Sequence, residues 1–449
     1  MSCPRPAPTL LPVAFLALAA VAGAALPAAA QSPRIDPQVA AAIANISEDS
    51  LHAYLARLVS FGTRNAMSVS DRPNWGVKAA REYIMRTMQS FSSKLQVSLD
   101  CYQVDKQGRI TQPVQICNVM AVLPGRSVRR IYISGHYDSV ARQADGRFDW
   151  SRWDNPAPGA DDDGSGVGLT MESARVLSQS GLDFDATLVF IAFDAEEEGL
   201  VGSSLHAARA VKEGWRIDAD LNNDIVGAVQ GGNGIYDSRT VRVFSEEPMD
   251  SPSRELARYV RRWAAVYVPS DKVRLIARED RFLRGGDHTS FNLQGFAGVR
   301  FTESREDYSR QHIKDDTIGA IDFQYLAKNA RINAAVAASL ALAPAAPEVM
   351  SRRGPTLGRG KSGYDAALSW QASPGAVGYR IVWREAWTPD WQYELDVGNI
   401  TAYTLPNISI DDYVFGVAAV DAAGHESLVS AYVRPQRRRS DVRQAAGSR

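Results

Sequence analysis

The sequence predicts an α/β protein with a mixed central sheet covered by helices on both faces, followed by a small all-β sandwich. Three observations predict it. Stretches with apolar residues at helical spacing alternate with short β-branched runs. Histidines and acids cluster directly after several of those runs, where open α/β sheets bind ligands. Beyond residue 343 the pattern changes to short, turn-bounded strands rich in Trp and Tyr.

Residues 1–30 read as a secretory signal: Arg5 precedes an apolar, Ala-rich stretch that ends in Ala28-Ala29-Ala30. The mature chain is therefore expected to be secreted or periplasmic. No later stretch is long and apolar enough for a stable transmembrane anchor. The α/β domain is assigned to residues 31–343. Helices are predicted over 46–58 and 75–91, then strands over 95–104 and 114–123 joined by a polar turn. These strands carry Cys101 and Cys117, which an oxidising compartment would bridge; two separate thiols are the alternative.

A strand over 130–134 runs into Gly135-His136-Tyr137-Asp138. The loop Pro-Gly-Ala-Asp-Asp-Asp-Gly-Ser-Gly follows at 158–166, then a helix over 167–178. Adjacent carboxylates repel, so the three aspartates need a cation, solvent or a capping role. A strongly apolar strand over 187–193 ends in Asp194-Ala195-Glu196-Glu197-Glu198. A helix over 205–211 and an extended run over 217–224 end at Asp224. Further on lie a helix over 253–265, strands over 273–277 and 299–303, a loop opening at Gly285, a polar loop over 310–317 and a long Ala-rich helix over 323–342. Residues 344–362 read as a linker, 363–435 as the sandwich and 436–449 as a basic flexible tail.

The formal net charge of -1 excludes nucleic acid as the main partner. Histidine, aspartate and glutamate at strand ends suit Zn²⁺ and its first-row neighbours. His136, Asp162, Glu197, Asp224 and His312 supply one bridging carboxylate plus one His and one carboxylate for each of two ions. His288 competes with His312, and spacing does not choose between them. Glu196, beside Glu197, is placed to act as a base, and Asp138 to orient His136 through its second ring nitrogen.

These motifs resemble the M28 family of zinc aminopeptidases, the dizinc group that includes secreted bacterial leucyl-type enzymes. The matching segments are G-H-Y-D at 135–138, P-G-A-D-D-D-G-S-G at 158–166, E-E-E-G-L-V-G-S at 196–203, N-D-I-V-G at 223–227, G-D-H-T-S-F at 286–291 and H-I-K-D-D-T at 312–317. The resemblance implies a dizinc exopeptidase fold and two Zn²⁺ per chain. His136 and Asp224 would serve one ion, Glu197 and His312 the other, with Asp162 bridging and its bond to Asp163 cis. It implies Glu196 as the general base and Asp138 as the partner of His136. Asp316 would support the loop that carries His312, and Asp287 and His288 would lie on a loop lining the substrate pocket.

The implied reaction is hydrolysis of the first peptide bond of peptides with a free N-terminus by a dizinc-bridged hydroxide. Two departures stand out. Gln311 occupies the position where several members carry an oxyanion-donating tyrosine, and Asn222 and Asn223 precede Asp224 where the family is often apolar, a change that bears on pocket polarity. Related chemistries on this fold are carboxypeptidase-type exopeptidases and single-zinc glutaminyl cyclases. A different reading is a non-enzymatic surface-binding protein. The C-terminal domain looks like a fibronectin type III module, with contact to a cell surface or polymer as its expected use.

Overall fold

The computed structural model describes residues 34–433; the signal segment and basic tail read from the sequence lie outside the described residues. Three helices open the fold: α1 (Pro37–Ala44), α2 (Glu48–Val59) and α3 (Gly76–Phe91). Helix α1 starts because the Asp36 carboxylate caps it and Pro37 supplies a helical φ at its first position. Ser47 caps α2 by accepting from Ser50 N at 3.1 Å. Helix α3 buries Val77, Ala80, Ile84 and Met88, one stripe at steps of three and four.

The hairpin of β1 (Gln96–Val104) and β2 (Val114–Leu123) precedes β3 (Arg129–His136), α4 (Gly166–Gln179), β4 (Thr187–Phe193), α5 (Val201–Lys212) and β5 (Arg216–Asn223). Then come β6 (Thr240–Ser245), α6 (Pro252–Tyr267), β7 (Lys272–Ile276), α7 (Asp287–Leu293), β8 (Gly298–Glu303) and α8 (Phe323–Leu342). Helix α1, strand β6 and helix α7 were not expected from the sequence. The first is a single Ala-rich stretch of two turns, and β6 interrupts its apolar run with Arg242. Helix α7 starts where Gly285-Gly286 suggested a continuing loop.

All eight strands join one sheet in the order β1-β2-β4-β3-β5-β8-β6-β7. Strands β4, β3, β5 and β8 run parallel, while β1, β2 and β6 introduce antiparallel pairs. Register matters most at the centre. His136 pairs with Phe193, and Ser134 with Asn222, so three consecutive parallel strands end at the same edge. Cys101 and Cys117 stand opposite one another in the β1–β2 ladder and form a disulfide, with their Cα atoms 4.0 Å apart.

The C-terminal domain has its own core of Trp370, Tyr379, Ile381, Leu395, Phe415 and Val417. Two very short strands, β9 (Met350–Ser351) and β10 (Gly354–Pro355), pair as a hairpin. A three-stranded sheet of β11 (Leu357–Gly358), β12 (Ala366–Ser369) and β15 (Ala402–Leu405) faces a four-stranded sheet. The latter contains β14 (Tyr393–Gly398), β13 (Gly378–Glu385), β16 (Tyr413–Val420) and β17 (Ser430–Ala431). The stretch read as a linker is thus partly built into the sandwich: Val349 is in its core and β11 pairs with β12. Turn-rich composition hid strands only two residues long.

The sandwich is docked on helix α6. One face of α6 sends Leu256, Val260 and Trp263 into the α/β core. The other meets the sandwich through charges. Glu255 accepts from Trp391 Nε1 at 3.0 Å and pairs with Arg258 at 2.5 Å. Arg258 in turn donates to Pro389 O, and Arg262 reaches Glu394 at 3.1 Å. Within the sandwich Arg380 pairs with Glu426, which Arg262 of α6 approaches at 3.5 Å, and Arg384 pairs with Asp250. His425 ties the amino-terminal segment to the sandwich, with Asp36 at 2.9 Å and Asp421 at 2.8 Å.

Candidate metal centre

The parallel strand ends bring the predicted ligands together. β3 delivers His136, the loop after β4 delivers Glu196 and Glu197, and the residue after β5 is Asp224. The Asp-rich loop, Ala160–Ser165, folds as one wide turn before α4. Its Asp162–Asp163 peptide bond is cis. Helix α4 begins very close to the sheet: a Cβ on Gly166 would stand 2.1 Å from the Asn223 carbonyl oxygen, so only glycine fits.

Two groups of three ligands result, one of His136, Asp162 and Asp224 and the other of Asp162, Glu197 and His312. His136 Nε2 lies 3.2 Å from Asp162 Oδ1 and 3.9 Å from Asp224 Oδ2. His312 Nε2 lies 3.0 Å from Asp162 Oδ2 and 3.2 Å from Glu197 Oε2. Asp162 therefore offers one oxygen to each group. Both ring nitrogens of His136, Oδ1 of Asp224 and Oε1 of Glu197 are buried with no hydrogen-bond partner. Unpaired buried acceptors are costly, and a cation is the partner that satisfies several at once. This donor set fits a pair of zinc ions.

The electrostatics agree. Burial and the neighbouring Glu197, Asp224 and Asp287 hold the Glu196 carboxyl well above its usual range, against the pull of His136. Burial and Asp162 likewise raise Glu197, opposed by His312. Burial alone would lower His312, but Glu197 and Asp162 raise it to about 10. So dense a cluster of carboxylates is the environment a divalent cation relieves.

The supporting residues are more elaborate than the sequence showed. Asp138 lies 3.4 Å from His136 Nδ1, and its carboxylate also accepts from Glu196 N at 3.1 Å and Glu197 N at 3.0 Å. It thus fixes the glutamate loop as well as approaching the imidazole. Asp163 accepts from His136 N, Gly166 N and Ile225 N, tying three ligand-bearing segments together. The Asp316 carboxylate accepts from Asp161 N at 3.0 Å and Asp162 N at 3.1 Å. It staples the His312 loop onto the Asp loop. Asp161, which the sequence left without a role, accepts from Gly227 N at 2.9 Å.

Three expectations change. Asp287 and His288 are fully buried in the first turn of α7, not on a pocket-lining loop. The His288 ring turns to Glu279 O at 2.9 Å and takes no place among the ligands, while Asp287, pushed up to about 7 by burial, faces the charges of His136 and Asp224. Asn222 donates to Ser134 Oγ across the sheet, and Asn223 donates to Asn333 Oδ1, tying the sheet to α8; both amides serve the fold rather than a pocket. Gln311 spends its amide on Glu306, at 3.2 Å, and on Arg284.

Two buried arginines were missed. Arg64 donates to Tyr137 O at 2.6 Å, to Gly159 O at 2.8 Å and to Pro158 O, clamping the segments that carry His136 and Asp162. Arg300 places Nη1 2.5 Å from Asp224 Oδ2 and donates to Gly285 O at 3.0 Å. Its signal was available: a lone arginine inside the apolar strand β8.

The geometry agrees with what known proteins show. The profile of Peptidase family M28 matches residues 118–337. A probable zinc metalloprotease of Pyricularia oryzae is 36% identical over 439 residues, covering 89% of this chain and 84% of its own length. The chain belongs to peptidase family M28. A second relative, a probable zinc metalloprotease of Leptosphaeria maculans, is 33% identical across 86% of this chain and 95% of its own. Among solved structures, the LapA aminopeptidase of Legionella pneumophila superposes with a TM-score of 0.53 at 21% identity, over 70% of this chain and 78% of that one. A glutaminyl cyclase of Porphyromonas gingivalis gives 0.52 at 20% identity, over 65% and 97%. At these identities the two structures speak to the fold of the M28 domain alone.

Proposed function

We propose that this chain is a secreted, zinc-dependent aminopeptidase that releases the first residue of peptides with a free N-terminus. The observation that carries the reading is the sharing of Asp162 between two three-residue ligand groups with Glu196 beside them. His136 and Asp224 would hold one zinc, Glu197 and His312 the other, with Asp162 between. Bound there, the ions supply the Lewis acidity that activates water and polarises a carbonyl.

The chain's own residues do the rest. Glu196, half-buried and held by Asp138 through its backbone N–H, takes a proton from the attacking water and returns it to the leaving amine. Asp138 keeps the imidazole of His136 turned towards the ligand group. Arg300 anchors Asp224, and Arg64 and Asp316 hold the Asp162 loop against the His136 segment. The acidic ligand group, with Glu196 and Asp224 at its edge, suits a substrate's positively charged amine. The sandwich, read as a fibronectin type III-like module, completes the fold through α6.

Assay of zinc-loaded protein on leucine arylamides and their N-acetylated counterparts tests this. Hydrolysis of the free-amine substrates only is expected. Turnover of the blocked substrates alone, or cyclisation of N-terminal glutamine with one zinc per chain, would overturn it.

A further inference from the structure

The two ligand groups sit in unlike surroundings. Around His136 and Asp224 the walls are buried and acidic, with Asp287 fully enclosed and Arg300 occupied by Asp224. Around Glu197 and His312 the walls are aromatic, basic and open. The Phe148 ring meets the His312 ring edge-on, 5.4 Å between centroids at 61°. Trp150 stacks on Phe148 at 5.0 Å and 14°. Each of these half-buried rings carries a guanidinium over its face: Arg142 lies 5.2 Å from the centre of Phe148, and Arg109 lies 4.8 Å from that of Trp150. The cluster is tied to the ligands themselves. Arg142 N donates to His312 O at 2.9 Å, and Arg109 Nη1 donates to Glu197 O at 2.6 Å.

Among the described residues, neither Arg109 nor Arg142 has a carboxylate within ion-pair distance, whereas nearby Arg152 has Asp154 at 3.2 Å. Asp149, between the two rings in sequence, accepts from Ser151 N at 3.0 Å and Ser151 Oγ at 2.6 Å, both at Oδ1. Two exposed guanidiniums lie over aromatic faces without a carboxylate of their own among the described residues, and Arg109 spends only Nη1, on Glu197 O; the remaining N–H groups form a carboxylate-binding arrangement.

We infer that this aromatic–arginine shelf is the subsite for the leaving portion of the substrate. It selects short peptides whose free C-terminal carboxylate lies one or two residues beyond the scissile bond. The inference rests on the aminopeptidase reading and adds a length and charge preference to it. The charge polarity sets the direction: a zwitterionic dipeptide places its amine at the acidic end and its carboxylate at the arginines. One extended residue spans about 3.5 Å, so one or two residues beyond the scissile bond carry the carboxylate about 3.5–7 Å past the ligand group, towards the rings that adjoin His312. The rings pack against the side chain of the second residue, and Arg142, with no bond to a ligand side chain, contributes charge from the rim.

The test compares Leu-Phe, Leu-Phe-amide and a leucine arylamide on the zinc-loaded full-length protein. The wild-type kcat/KM is expected to favour the free acid over the amide by about 5- to 10-fold, the size of one charged contact at a half-exposed site. Arg142→Ala should shrink that ratio towards one through KM, Arg142→Lys should restore part of it, and Trp150→Ala should raise KM for both dipeptides. A wild-type ratio of one, or a ratio unmoved by Arg142→Ala, overturns the subsite. A readout without turnover separates this from the parent reading: calorimetric binding of the acid and the amide to zinc-loaded Glu196→Gln. If no substrate is hydrolysed but the acid still binds more tightly, the aminopeptidase reading fails and the shelf stands. Equal binding removes the shelf whatever the turnover.

Discussion

Two regions of this molecule bury many charged side chains, and they do it in opposite ways. At the interface between α6 and the sandwich, acids meet arginines: Glu255 with Arg258, Glu426 with Arg380, Asp250 with Arg384 and Glu394 with Arg262. The buried polar atoms left over there are guanidinium nitrogens of Arg262, Arg380 and Arg384. At the sheet edge, Asp162, Glu196, Glu197, Asp224 and Asp287 gather around two histidines. Apart from Arg300 Nε, the atoms left over are imidazole nitrogens and carboxylate oxygens. An arginine has five N–H groups and commonly leaves one unused. An unpaired lone pair aimed at several others is a different signal, because a cation can satisfy all of them together. A buried charged cluster is therefore not a site by itself; the sign of what remains unpaired distinguishes a joint from a metal centre.

That contrast can be broken by experiment, most severely at Asp162. Asp162→Asn is expected to remove the shared ligand, drop bound zinc from two per chain towards one or none, and abolish peptidase activity. Retention of two ions, read by metal analysis after dialysis, would mean that the ligand groups do not share this residue. Next in size, Glu196→Gln should retain both ions while kcat falls by about 10²- to 10⁴-fold, the usual worth of a positioned acid–base group. Metal loss with that substitution would make Glu196 a ligand instead.

At the interface the effect should appear in stability, not chemistry. Glu255→Ala leaves Arg258 and Trp391 Nε1 without their buried partner and is expected to cost about 3–5 kcal/mol in denaturant unfolding. If the sandwich and the α/β domain then unfold in separate transitions, the ionic joint is what couples them. A loss under about 1 kcal/mol would mean that the joint contributes little beyond its geometry.

The smallest effect belongs to His425. Burial alone lowers its pKa, but Asp421 and Asp36 raise it above the ordinary value. Its contribution is thus complete below the unfolded-state pKa of about 6.5 and is lost as pH rises through the folded value. Burial tends to raise Asp36 and Asp421, yet bonds to His425 hold both below their ordinary range, so their share is lost as pH falls through those lower values. His425→Ala should therefore cost about 1–2 kcal/mol near pH 5.5 and clearly less near pH 9. An equal cost at both would show that the histidine acts through packing.

How much of this was legible beforehand follows from range. The ligand residues lie directly after apolar β-branched runs, and a parallel sheet has to place such ends along one edge. His136, Glu197 and Asp224 could therefore be named from local pattern. The choice between His288 and His312 could not, because both follow glycine-rich or polar loops; the family motif at 312–317 implied His312, and helix α7 buries His288 away from the edge. Arg64 reaches Gly159 and Arg300 reaches Gly285 across the fold, and no spacing rule announces such pairs. The linker reading failed for a similar reason, since β11 is a strand only because β12 pairs with it.

By itself the sequence determined most of the elements, though not α1, β6 or α7, and the inventory of candidate metal-binding side chains, because these depend on neighbours a few residues apart. Only the tertiary structure decided that Asp316 staples one loop to another, that Arg64 clamps the Asp162 loop to the His136 segment, and that the sandwich is locked onto α6. Each of these is a contact between segments far apart in the chain, and its energy exists only once the sheet has set their distance.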